Sequence, residues 1–231
     1  MKIFSVEEAQ KTILQRKPLN RIQYSPITLQ RTEKFFGNGV TPPQAVEIIL
    51  QSIEDDGDRA VRKWSRALDN FSGEEILIPK YKLKEAWDQL SPALQKTIQT
   101  AADRIRTFHE KQPVKSWITT EMGGKVGQRI TAIERVGVYV PGGTAPLPSS
   151  LLMSVIPAQV AGVEKIYVAT PPEPAPSILA VAYLCGVDAI YQIGGAQAIA
   201  ALAFGTETVQ KVDKIVGAGN LFVTIAKQKL Y

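Results

Sequence analysis

Apolar positions along the 231-residue chain recur in two rhythms. Up to about residue 130 they come at helical spacing: Val46, Ile49, Leu50 and Ile53, then Ala60, Val61, Trp64 and Leu68, then Leu83, Ala86, Trp87 and Leu90. Leu94, Ile98, Ala101, Ile105 and Phe108 alternate steps of four and three, the pattern of a helix-packing seam. From Val136 onward the rhythm changes. Short apolar runs rich in β-branched residues stop at Gly or Pro, and a helical stretch follows each one.

Local signals punctuate the first part. Ser5-Val-Glu-Glu8 has capping-box spacing and predicts a helix to about Arg16, ended by Lys17-Pro18. The segment from there to Asn38 reads as polar and irregular. Thr41-Pro42-Pro43-Gln44 predicts a helix start, Asp56-Gly57-Asp58 an interruption, and Ile76-Leu77-Ile78 a short strand. Ser91-Pro92 caps the next helix, and residues 124–133 read as a strand feeding the one that follows.

In the second part, strands are expected over residues 136–140, 165–169, 189–193 and 214–216, with helices over 149–161, 175–185, 196–204 and from 220 onward. Strand-helix units in series argue for an α/β fold with a parallel sheet. The helix over 196–204 is apolar almost all round, which predicts burial. We place a domain boundary near 130, giving a helical N-terminal region with a short hairpin (1–130) and the sheet domain (131–231).

Composition narrows the function classes. Hydrophobic residues at 45% and charged residues at 21% are ordinarily globular. The N-terminus meets charge too early for a secretory signal, and the longest apolar run, residues 151–163, is broken by Pro157 and too short for a bilayer. A soluble, cytoplasmic protein with no membrane partner is expected. The charge of +5 comes from scattered residues, among them Lys11, Arg16, Lys17, Arg21, Arg31 and Lys34, a solvated surface more than a nucleic-acid footprint. The single cysteine, Cys185, excludes an internal disulfide and reads as a buried structural thiol. The single histidine, His109, reads as a surface or capping residue at a helix end.

Candidate chemistry gathers at the carboxyl ends of the strands, where parallel sheets bind ligands. Pro141-Gly142-Gly143, Thr170-Pro171-Pro172, Gly194-Gly195-Ala196-Gln197 and Gly217-Ala218-Gly219-Asn220 all fall there, with Tyr139 inside the first strand and Thr144 and Thr206 as further polar residues. Free amides at helix starts suit a phosphate-bearing ligand. The usual Gly-x-Gly-x-x-Gly is absent, and the second strand ends in Thr-Pro-Pro-Glu, not in an acid suited to a ribose. These features alone leave two readings open, a nucleotide site and a tightly turned α/β core. Asn220 could likewise be a ligand contact, a helix N-cap, or both.

The run Arg135-Val-Gly-Val-Tyr-Val-Pro-Gly-Gly-Thr-Ala145, with Pro148-Ser-Ser-Leu-Leu-Met153, closely resembles the histidinol dehydrogenase family. Pro157-Ala-Gln-Val-Ala-Gly162, Ile193-Gly-Gly-Ala-Gln-Ala-Ile-Ala-Ala-Leu-Ala203 and Val212-Asp-Lys-Ile-Val-Gly-Ala-Gly-Asn220 extend it in family order, through Ala226-Lys227. The resemblance implies a pair of incomplete Rossmann-like domains in an intertwined homodimer, of which this chain carries one, and oxidation of L-histidinol through the aldehyde to L-histidine with NAD and zinc. It places NAD contacts on Tyr139, Gln197 and Asn220, with Pro141, Gly142 and Gly143 in the same motif. Leu147, Ser154 and Ala218 depart from the family's usual Tyr, Asn and Pro. The family's acid-base pair and zinc ligands are expected beyond Tyr231, so no catalytic or metal residue is assigned within the chain. The expectation is an N-terminal, NAD-binding portion that is inactive alone. The alternative is a truncated, non-catalytic nucleotide-binding or dimerisation module.

Overall fold

The structure, a computed structural model, describes residues 3–15, 24–112, 114–142 and 146–230. It divides at Pro42 into two compact units. The first unit carries α1 (Val6–Lys11) and α2 (Pro26–Phe36). Ser5 and Glu8 close the predicted capping box on α1, which ends at Lys11, short of Arg16, with Thr12 as its cap. The segment read as irregular contains α2, whose N-cap is Ser25 followed by Pro26. That reading is corrected: Ser25-Pro26 is the same start signal as Ser91-Pro92, and the polar residues after it are the exposed face of a helix. Arg16, Lys17 and Arg21 lie outside the described residues.

The second unit opens with α3 (Pro42–Asp69). Its regular geometry fails at one residue, Gly57, with φ 52° and ψ −131°, where the sequence placed an interruption. Only glycine takes that conformation cheaply. After α4 (Lys80–Asp88) and α5 (Pro92–His109) comes a hairpin of β1 (Trp117–Thr119) and β2 (Val126–Gln128). The strand expected over 124–133 is therefore three residues long, because only those pair with β1. Ile76-Leu77-Ile78 is extended but forms a single bridge, Leu77 against Tyr191, with Ile78 N–H donating to the Ile190 carbonyl at 2.9 Å.

The remaining elements are β3 (Arg135–Tyr139), α6 (Pro148–Val160), β4 (Lys165–Thr170), α7 (Pro176–Cys185), β5 (Ala189–Gln192), α8 (Gly195–Phe204), β6 (Lys214–Val216) and α9 (Leu221–Lys229). All four of these strands pair in parallel in the order β5-β4-β3-β6, so the sheet reverses direction of growth between β3 and β6. Such a reversal is the topological switch point of doubly wound folds.

The β3 side chains alternate between two cores. Val136, Val138 and Val140 face a cluster with Leu151, Leu152, Val155 and Ile156 of α6 and Ile178, Val181 and Ala182 of α7. On the other face a Cβ at Gly137 would lie 3.0 Å from Leu202, so the glycine sets how closely α8 approaches. As its pattern predicted, α8 is buried from Ala196 through Leu202.

Cys185 is 7% exposed, and burial pushes its thiol up to about 12. It is an inert core residue. His109 ends α5, and its Nδ1 meets Gln112 Oε1 at 2.6 Å, the surface role expected. Among the described residues no helix is long and apolar enough to cross a membrane.

Candidate functional site

At the carboxyl edge, the end of β3 holds Tyr139, which is 3% exposed. Burial raises its phenol pKa; the Gly195 amide, donating to Tyr139 Oη at 3.1 Å, offsets this in part, and the nearby Asp69 adds to it. Gly195, with φ 57°, is the first residue of α8, so the tyrosine at the end of β3 takes up a free amide of the helix start that follows β5.

Two residues into α8 lies Gln197, 1% exposed. Its Nε2 donates to Asp69 Oδ2 at 2.9 Å, whereas its Oε1 has no hydrogen-bond partner among the described residues. The carboxylate fixes the amide's orientation, since the reverse placement would set oxygen against oxygen. A buried acceptor without a partner costs about 1–3 kcal/mol, so the group calls for something to complete it, an ordered water or a bound ligand.

Asp69 ends α3 and was not among the residues singled out from the sequence. The residue is exposed on one side, but its carboxyl pKa is raised, because burial against the protein outweighs the one bond from Gln197. Both carboxylate oxygens lie close to Gly194, at 3.1 and 3.3 Å from where a Cβ would stand. Sequence spacing held no signal for this meeting, as Asp69 and Gln197 are 128 residues apart.

The two remaining edges are built by close backbone approach. A Cβ on Gly142 would stand 2.8 Å from Pro171, and one on Gly217, at φ 105°, would stand 2.1 Å from the Tyr139 carbonyl oxygen. Pro141, Gly142, Thr170, Pro171, Pro172 and Glu173 line a cleft of about 240 Å³ between the ends of β3 and β4. Gly143 and Thr144 lie outside the described residues.

Asn220 is exposed and its Oδ1 accepts from Val223 N–H at 3.1 Å, the N-cap of α9. Lys227 Nζ donates to the Gly217 carbonyl at 3.0 Å, which ties the loop before Asn220, and burial lowers the lysine's pKa.

The structure thus brings Tyr139 and Gln197 together and sets Pro141 and Gly142 on an adjoining cleft, while Asn220 stands on the far side of the switch point at the end of β6. Thr206 is elsewhere. The helix α8 runs back across the sheet, so Thr206 lies at the opposite end, where its hydroxyl donates to Asp58 at 2.5 Å. A cleft of about 490 Å³ beside β6, lined by Ile199, Ala203, Val212 and Leu230 and by Asp213, Lys214 and Lys227, includes none of the candidate ligand contacts. Among the described residues no group of three or more His, Cys, Asp or Glu side chains is placed to hold a metal.

Strand order, switch point and glycine-built edges define a doubly wound α/β protein of the Rossmann-like class. A profile of the family described as Histidinol dehydrogenase matches residues 38–231. The chain belongs to the histidinol dehydrogenase family. It is 44% identical over 219 residues to a histidinol dehydrogenase of Deinococcus radiodurans, covering 93% of this chain and 50% of that protein. A relative from Thermus thermophilus is 46% identical over 191 residues, covering 83% and 46% respectively. The crystal structure of histidinol dehydrogenase from Elizabethkingia anophelis superimposes with a TM-score of 0.78 at 36% identity, over 87% of this chain and 49% of that one. The chain therefore spans about half the length of the relatives it matches.

Proposed function

We propose that this chain is the NAD-binding portion of an enzyme that oxidises L-histidinol through the aldehyde to L-histidine, in histidine biosynthesis. The observation that carries the reading is the unpartnered Oε1 of the buried Gln197, set beside Tyr139 at the sheet's carboxyl edge. Glycines at 142, 194 and 217 give a bulky ligand close access to backbone there. Residues 131–231 would be the cofactor domain and 1–130 a helical region serving it.

NAD, when bound, would supply the hydride acceptor. Gln197 would present its carbonyl to a ribose hydroxyl, Tyr139 would hold the α8 start in place through Gly195, and Asn220 would contribute its amide while capping α9. Zinc does not fit the described residues, which offer no donor set for it, and no step is routed through a metal. We expect the zinc ligands, the acid-base pair and the contacts to L-histidinol to come from outside this chain, which is then inactive alone. The family resemblance supports a homodimer, and we expect it in the cytoplasm.

The test is a melting curve of the purified chain with and without NAD. At a hundredfold the dissociation constant, NAD should add about 2.7 kcal/mol, and Gln197→Ala should lose most of that protection. Identical responses of wild type and variant would sink the reading.

A further inference from the structure

We propose that Asp69 is the acceptor for the ribose diol of the adenosine half of NAD, and that its charge excludes a 2′-phosphorylated dinucleotide. The inference rests on the reading of this edge as a dinucleotide site. In doubly wound sheets the diol is met by an acidic side chain about 20 residues beyond the phosphate turn, at a strand end. Here that strand, β4, ends in Thr170-Pro171-Pro172-Glu173, and a different element brings a carboxylate to the neighbouring edge: the last residue of α3.

Three features carry it. Asp69 stands against Gly194, at the end of β5, which puts it on the β5-β4-β3 side of the switch point. That half of a doubly wound sheet takes one mononucleotide of a dinucleotide, and the adenosine half is the one bound on the first three strands. Its carboxylate is exposed on one side and, among the described residues, receives one hydrogen bond, from Gln197 Nε2, although a carboxylate can accept about four. The vicinal hydroxyls of a ribose are two donors held at the spacing a carboxylate spans. Finally, Gln197 Oε1, buried and unpartnered beside it, offers a further acceptor to the same sugar.

The burial that raises the Asp69 pKa gives the same picture of a charge that lacks donors. A 2′-phosphate would replace a donor with two negative charges against this carboxylate, and like charges this close repel. Glu173 is the competing acid. It is exposed at the mouth of the cleft between β3 and β4, and its backbone amide donates to Gln192 Oε1 at 3.4 Å.

The experiment is titration calorimetry of the full chain with NAD and with NADP, for wild type, Asp69→Asn and Glu173→Gln. The expected result is that wild type prefers NAD. Asp69→Asn should bind NAD about ten- to a hundredfold more weakly and narrow the NAD-to-NADP preference at least about tenfold, while Glu173→Gln leaves that preference as it is in wild type.

Equal losses for both dinucleotides in Asp69→Asn would mean that Asp69 only props Gln197, and would overturn the inference. So would a narrowed preference in Glu173→Gln alone. A second arm needs no variant: NAD lacking the adenosine 2′-hydroxyl should bind wild type about tenfold more weakly, and equal binding would overturn the proposal even if Asp69→Asn fails to fold. Wild type that binds neither NAD nor NADP would remove the dinucleotide reading itself, and this inference with it.

Discussion

The half of α3 beyond its break carries an aspartate at each end, Asp58 and Asp69, and the two are treated in opposite ways. Asp58 is 5% exposed and accepts from the hydroxyls of Thr206 and Thr208, the Thr208 amide at 3.3 Å and Arg62 at 3.3 Å. Burial alone would raise its pKa, but those donors outweigh it and hold the carboxyl below its ordinary value. Asp69, about 16 Å further along at 1.5 Å per residue, has one donor among the described residues and a raised pKa. A saturated buried carboxylate ties parts of a fold together. An undersupplied one, on a sheet's carboxyl edge, is the one we propose a ligand completes.

The comparison breaks most readily at Asp58. Asp58→Ala would strand three donors and Arg62, and should cost about 3 kcal/mol, read as a lower midpoint in urea denaturation at pH 7. A loss under about 1 kcal/mol would mean that the cluster is not holding the fold. Gly217→Ala comes next. Its φ of 105° and a Cβ only 2.1 Å from the Tyr139 carbonyl should cost about 2 kcal/mol, and circular dichroism melts would report it.

The pH dependences should then have opposite signs. The Asp58 pKa is depressed in the folded state, so its contribution is present above the ordinary carboxylate value of 3.8 and is lost as pH falls through the folded value. Asp58→Asn should therefore flatten the acid limb of the stability curve below about pH 4, measured by denaturant midpoints. Asp69 is raised instead. Its ionised form disfavours the fold above the folded pKa, and that cost disappears as pH falls through it. Asp69→Asn should consequently leave stability at pH 7 unchanged or improved by a few tenths of a kcal/mol, discounted for the side chain's exposed face. A loss above about 1 kcal/mol would return Asp69 to the scaffold and erase the contrast.

Much of the fold was legible because local signals agreed with long-range packing. Each strand from β3 to β6 is a short β-branched run that stops at Gly or Pro, and the break at Gly57 was visible as Asp-Gly-Asp inside a helical stripe. The missed helix α2 had its Ser25-Pro26 signal, but its apolar residues are too few to outline a core-facing stripe, and only Thr32 is buried. Tyr139 and Gln197 were legible from motifs at strand ends. Asp69 was not, because Leu68-Asp69-Asn70 reads as an ordinary polar helix end, and its meeting with Gln197 is decided by topology. Thr206 was misplaced for the complementary reason: a polar residue after a glycine looks the same at either end of a sheet.

The latch at Gly57 also has a consequence in time. Asp58 bonds to Thr208 across 150 residues of chain, and its backbone amide donates to Glu207 Oε2 at 2.8 Å across 149. At a synthesis rate of about 5–20 residues per second, α3 leaves the ribosome roughly 8–30 s before the residues that fix its bend. Closing so long a loop is among the slower steps of a folding chain. The bend in this helix is set by residues translated long after the helix itself.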